Sequence, residues 1–247
     1  MQYTGRFLRG LMIVLVAISV SAEDEALTII RKVDEMGKTS SSSAKMSMLT
    51  YPYVGDNSNF REMKVLAYGK GEDNSYMEFI TPKSIQGLRI LSLSGDQWVY
   101  FPSTGRVRKI AAKSKDQTVQ GVGGDFTYED LGGGNMEESY SFKILKSDAK
   151  SWTLEGTPKK ESSYSKVVIT ILKENFQTPK IEYYTAADGH KKDLLIEEYK
   201  MISGRQMPTR MTMLNLIKQS KTVVIMHDAE YDVPLDDKYF NPMRFYK

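Results

Sequence analysis

Residues 98–110 read Trp98-Val99-Tyr100-Phe101-Pro102-Ser103-Thr104-Gly105-Arg106-Val107-Arg108-Lys109-Ile110. An aromatic and β-branched run, a Pro-Ser-Thr-Gly turn and a second run of period two make a tight antiparallel hairpin. The same alternation spreads outward from it. Upstream, candidate strands run near Lys45 to Val54, Phe60 to Tyr68, Ser75 to Thr81 and Leu88 to Leu93, then through the hairpin itself, Trp98 to Phe101 and Arg106 to Ala111. Downstream they run near Tyr140 to Leu145, Trp152 to Gly156, Lys166 to Leu172, Lys180 to Thr185, Asp193 to Tyr199, Arg210 to Ile217 and Thr222 to Tyr231. Gly55-Asp56-Asn57, Gly69-Lys70-Gly71, Gly95-Asp96 and Ala187-Asp188-Gly189 supply turns between them. Many successive strands with short links predict a mainly β protein, an antiparallel meander that is closed or nearly closed.

Ahead of the strands the period is helical. Ala26, Ile29, Ile30, Val33 and Met36 share one face, Asp24 is placed to cap the start and Gly37 to end the helix. The serine-rich stretch Thr39 to Ser43 then reads as a polar connection. Further upstream, Arg6 and Arg9 precede the apolar run Leu11 to Val20, followed by Val20-Ser21-Ala22 and the acidic Glu23-Asp24-Glu25. This is the layout of a secretory signal cleaved after Ala22, and ten residues of helix would cross only about half of a ~30 Å hydrocarbon core. Residues 1–22 are therefore expected to be a signal peptide, and residues 23–247 a single domain.

Removing the signal leaves 32 basic against 31 acidic residues, so the formal charge of +3 falls to +1. Nucleic-acid binding loses its electrostatic support, and no nucleic-acid partner is expected. The chain has no cysteine, which removes disulfides, thiolate metal sites and lipidation of a first mature cysteine. The mature chain is expected to be exported and free of a lipid anchor.

Between the two runs of strands, Lys113 to Glu138 holds six glycines (Gly121, Gly123, Gly124, Gly132, Gly133, Gly134) around Phe126-Thr127-Tyr128-Glu129-Asp130-Leu131. A connection this long is either a lid or binding loop, or a mobile surface excursion. The chain also carries 14 Met, 15 Tyr and 9 Phe, many on strands, as in Met46/Met48, Met77/Phe79 and Met211/Met213. Thioethers fill irregular space, so this set fits either a packed core or the wall of an apolar cavity.

Catalytic motifs are absent. Gly37-Lys38-Thr39 follows a helix instead of opening one, which removes the phosphate-loop geometry, and Gly121-Val122-Gly123-Gly124 has no βαβ unit around it. His190 and His227 sit in no metal-binding spacing, and no Gly-x-Ser-x-Gly elbow occurs. The acid pairs Glu129/Asp130, Glu137/Glu138, Glu197/Glu198 and Asp236/Asp237 are neighbours that a strand would turn to opposite faces. No enzyme activity, metal or cofactor is expected. A hydrolase would require two of those acids to converge in one cleft.

The hairpin segment 98–110, the later segment Gly124-Asp125-Phe126-Thr127-Tyr128-Glu129-Asp130-Leu131, the export signal and the long meander together resemble the outer-membrane lipoprotein-sorting protein family, relatives of the periplasmic lipoprotein carrier. The resemblance spans essentially the whole mature chain. It implies an unclosed, strongly curved antiparallel β-barrel of about 11 strands, with helices and a lid over a concave apolar cavity. Phe126, Tyr128 and Leu131 would turn inward from the lid, with Glu129 and Asp130 facing solvent or capping a helical turn. Arg106 and Arg108, alternating with Val107, would lie on the outer face. The cavity and lid residues expected on these grounds are Met46, Met48, Met63, Phe79, Leu91, Trp98, Tyr100, Phe126, Tyr128, Leu131, Met211 and Met213.

The function so implied is periplasmic binding or carriage of a lipid, a lipoprotein acyl chain or a similar amphiphile, with an inner-membrane exporter and an outer-membrane acceptor as partners. The alternative is a non-transporting interaction module, a lipid sensor or accessory subunit of a resistance-nodulation-division-type exporter.

Overall fold

The computed structural model describes residues 22–247. The export signal expected over residues 1–22 lies outside them, apart from Ala22 at the start of the first helix. The first helix, α1, spans Ala22–Gly37, so Asp24 lies inside its first turn rather than capping it. Glu23, Asp24 and Glu25 there oppose the positive end of the helix dipole. Ala26, Ile29 and Ile30 are buried, each isoleucine worth roughly 1.5–3 kcal/mol on removal from water.

Strands β1 to β6 follow at Ser41–Tyr51, Arg61–Lys70, Asn74–Thr81, Arg89–Leu93, Asp96–Phe101 and Arg106–Lys109. After a short helix α2 (Met136–Ser139) come β7 to β13, at Tyr140–Ser147, Ser151–Pro158, Lys166–Leu172, Lys180–Thr185, Gly189–Ile202, Arg205–Asn215 and Ser220–Tyr231. The sheet thus has thirteen strands where about 11 were expected. Each segment of alternating sequence makes one. The serine stretch is also a strand: Ser41 to Ser43 open β1, paired with β2 on one side and β13 on the other. Polar composition misled there, because ladder bonds to two neighbours decide the conformation of a central strand.

All pairings are antiparallel, in the order β6-β5-β4-β3-β2-β1-β13-β12-β11-β10-β9-β8-β7. The first and last strands pair in the middle, and the sheet curves without closing. Strands β6 and β7 are neighbours in sequence but form its two opposite edges. The chain between them has to travel from one edge to the other, which is the physical reason that residues 110–139 are long and that they run over a face of the sheet.

That face carries two apolar clusters. In the first, the crossing segment supplies Val119, Val122, Phe126 and Tyr128 against β1 to β5, β12 and β13. In the second, α1 packs on Phe142, Leu154, Val167, Ile169, Ile171 and Ile181 of β7 to β10. Tyr183 and Leu194 touch both, so lid and helix share the inner face.

The outer face has its own cover. After β13 the chain folds back, and Tyr239, Phe240, Phe245 and Tyr246 pack on Tyr68, Tyr76, Leu91, Trp98, Tyr100 and Val107. This corrects two expectations of side. Leu91, Trp98 and Tyr100 turn outward beneath the tail, away from the lid, because their neighbours Ile90 and Val99 take the inner positions. Arg106 and Arg108 stand opposite Phe101 and Val99 and so fall on the inner-face side of the edge strand; Val107 takes the outer side, under Tyr246 and Tyr100.

Candidate functional site

Nine of the twelve residues singled out from the sequence come together under the lid. Met48, Met63, Phe79, Phe126, Tyr128 and Met213 are buried in one cluster, with Met46, Leu131 and Met211 against it. They pack on one another, and none of them lines the hollows at the lid's edge or between the hairpin tips. The thioethers here fill the space between sheet and lid.

Polar contacts latch this lid along its length. At its root Asp125 accepts hydrogen bonds from the Ser220 and Thr222 hydroxyls of β13, at 2.5 and 2.9 Å. Gly124 beside it has φ +78° and runs so close to β13 that a Cβ would sit 2.7 Å from Thr222 Oγ1, which only glycine permits. Gln97 of β5 donates to the Tyr128 carbonyl at 2.7 Å. Of the two positions expected for Asp130 it takes the capping one, with its carboxylate out of solvent: Thr127 donates to it through both N–H and hydroxyl and accepts from the Asp130 N–H, Lys192 Nζ of β11 lies 2.7 Å from Oδ2, and Tyr164 donates to Oδ1 at 2.5 Å. Glu129 is held by the side chains of Ser162 and Ser163. The chemistry that makes both carboxylates useful here is acceptance of several donors at once.

The cavity lies beside this packed region, between the lid's end, α2 and strands β8 to β10. It measures about 400 Å³, within the ~300–1,000 Å³ usual for small-molecule sites. Val167, Ile169, Ile181 and Tyr183 make its apolar floor, Tyr140 and Tyr164 its walls, and Gly133 and Gly134 with Met136 its cover. Asp73, Glu138, Lys160 and Glu161 stand at the polar side. Glu129 and Asp130 also border it, but serine, lysine and tyrosine donors occupy their oxygens. Glu137 pairs with Arg31 at 2.7 Å and Glu197 with Arg210 at 3.1 Å.

A protein-family model that describes its members as uncharacterized proteins matches residues 71–246, well over half the chain. The chain belongs to that family. Among solved structures, an outer membrane lipoprotein-sorting protein domain from Vibrio parahaemolyticus superposes with a TM-score of 0.82 at 23% identity, over 91% of this chain and 100% of that one. A DUF1329 family protein from Desulfovibrio piger gives 0.80 at 24% identity, over 90% and 98%. A LolA superfamily protein from Nitrosomonas europaea gives 0.73 at 24%, over 87% and 97%. The fold is therefore LolA-like. No curated protein matches the sequence.

In this LolA-like domain the sequence pointed to the lid and to the methionine-rich wall, and it missed the cavity floor. Val167, Ile169, Ile181 and Tyr183 look like ordinary alternating strand residues, and only the fold shows that these core residues, packed with α1, also border the space at the lid's edge. Lys192 was missed too, although a lysine at an otherwise inward position of a strand was the available signal.

The tyrosines around the cavity set an alkaline limit. Burial pushes Tyr140 up to about 12, and burial with the nearby Asp130 pushes Tyr164 and Tyr183 upward as well. A folded-state value above the unfolded one (~10) leaves stability intact below that value and removes it as pH rises toward the folded one. The urea midpoint is expected to hold to about pH 9 and to fall steadily between about pH 10 and 12, as tyrosinate absorbance appears.

Proposed function

We propose that this LolA-like domain is a periplasmic binding protein or carrier that holds the apolar part of an amphiphile, an acyl chain or similar group, between its lid and its curved sheet. The cavity beside the lid carries this reading: an apolar floor, a glycine-containing cover and a polar rim suit a ligand with one apolar and one polar end. Burial would supply binding at about 25 cal/mol per Å² of apolar ligand surface. Release would follow from a shift in the lid equilibrium when a partner favours the open state. The lid suits such a shift because discrete polar latches hold it, and because the methionines beneath can repack around a longer chain. The likeness in fold to a lipoprotein-sorting domain supports the same class of ligand.

The test is solvent extraction and mass spectrometry of the protein purified from a periplasmic fraction. One equivalent of an acylated molecule is expected, and it should be reduced by Met136→Glu at the part-exposed cover of the cavity. Protein free of any amphiphile, and failing to take one up from micelles, would sink the proposal.

A further inference from the structure

Nine large hydrophobic side chains are exposed among the described residues, and five of them stand on two adjacent hairpin tips. Tyr53, Val54 and Phe60 belong to the β1–β2 connection, and Leu216 and Ile217 to the β12–β13 connection. The tips are tied together: Val54 N–H donates to the Gln219 carbonyl at 2.8 Å, and Lys221 Nζ donates to the Val54 carbonyl and the Asn57 side chain. Exposure of 54% at Tyr53 and 55% at Ile217 leaves more than half of each ring or chain in water, a cost that monomeric proteins avoid unless the surface is used.

Between the tips lies a hollow of about 510 Å³ walled by Tyr51 and Phe60. Arg61 and Lys218 line it, and neither has a carboxylate partner among the described residues. Lys221, at the edge of the same tips, donates to a carbonyl and an amide and lies 4.8 Å from the centre of the Tyr51 ring. The nearby acids hydrogen-bond elsewhere, Asp56 to Ser58 and Asp125 to Ser220 and Thr222, and although the Lys221 charge reaches Asp56 the two form no ion pair. Projecting apolar tips around three cations without acidic partners complement a surface that is apolar beneath and anionic above.

We propose that the two hairpin tips are a membrane-docking surface for an anionic lipid leaflet. Tyr53, Val54, Phe60, Leu216 and Ile217 enter the interfacial layer, and Arg61, Lys218 and Lys221 meet the lipid phosphates. Contact falls on the root of the lid, since Arg61 donates to the carbonyls of Gly121 and Val122 at 3.0 and 3.1 Å and Asp125 is fastened to β13 between the same tips. This surface is separate from the inner cavity and does not depend on the ligand proposed there.

The experiment is cosedimentation of the purified protein with vesicles of phosphatidylethanolamine, with and without phosphatidylglycerol. Binding to the phosphatidylglycerol vesicles is expected, weakening with salt, and Ile217→Glu should lower the apparent affinity at least roughly tenfold. Thermal unfolding and the amphiphile recovered by extraction should match the parent in that variant, which separates failure of docking from failure of carriage. Met243→Glu, at an exposed site on the tail away from the tips, should bind as the parent does. No binding to anionic vesicles, undiminished binding by Ile217→Glu, equal loss in Met243→Glu, or capture only by membranes that contain host proteins would each overturn the proposal.

Discussion

Lys192→Ala is expected to lower the stability of the folded chain by roughly 3–5 kcal/mol, the usual cost of leaving one member of a buried ion pair alone. The pair it breaks is nearly solvent-free, with the Lys192 and Asp130 side chains 3% and 2% exposed, so water offers little screening. In a domain of this size that corresponds to a fall in melting temperature of about 6–20 °C, readable by calorimetry. The loss should also be directional. Asp130 joins the lid to β11 through Lys192 and to the β9 side through Tyr164, so amide exchange in residues 126–131 should accelerate more than exchange in β1 or β13. Asp130→Asn combined with Lys192→Met should recover much of the stability. It removes both charges and keeps the amide oxygen as acceptor for the Thr127 donors, while the Tyr164 hydroxyl can turn to accept from the amide NH2. If the double variant is no better than Lys192→Ala, the pair is not what holds the lid.

Phe79→Ala should be nearly as damaging, at about 3–5 kcal/mol, for a reason of packing. Phe79 is fully buried in β3 opposite Val65, inside the cluster that the lid closes over. The nine inward residues there pack on one another, so removing the ring leaves a void that the methionines can only partly refill. Urea unfolding of this variant should show a lower midpoint at an unchanged slope. A drop below about 1 kcal/mol would mean that Met63, Met77 and their neighbours collapse into the site, and that the core beneath the lid is softer than its geometry implies.

How much of this was legible in sequence can be judged at the hairpin of residues 98–110. Alternation marked two strands and their turn, and both are there. The same alternation has two possible phases with respect to the core, and choosing between them needs knowledge of what covers each face. Trp98, Tyr100 and Val107 look like inward residues, yet the C-terminal aromatics Tyr239, Phe240, Phe245 and Tyr246 cover them from outside. Those aromatics lie more than a hundred residues away in the chain, in a stretch with no periodic pattern. Asp130 was half legible for a related reason: its capping of the turn at Thr127 is local, but its burial depends on Lys192, sixty-two residues later.

Local chemistry settled what local chemistry controls. The helical face of Ala26, Ile29 and Ile30, the run of antiparallel strands, the turns and the length of the 113–138 connection follow from periodicity and turn residues, which act over a few neighbouring positions. Tertiary structure alone decided the rest: that β1 pairs with β13, that β6 and β7 become opposite edges, and that the connection between them must cross the inner face and act as a lid. It also decided that the methionines pack beneath the lid while Val167, Ile169 and Ile181 pack with α1 and border the cavity at the lid's edge. Long-range pairing fixes which face of each strand is buried, and a pattern of period two is identical for both faces.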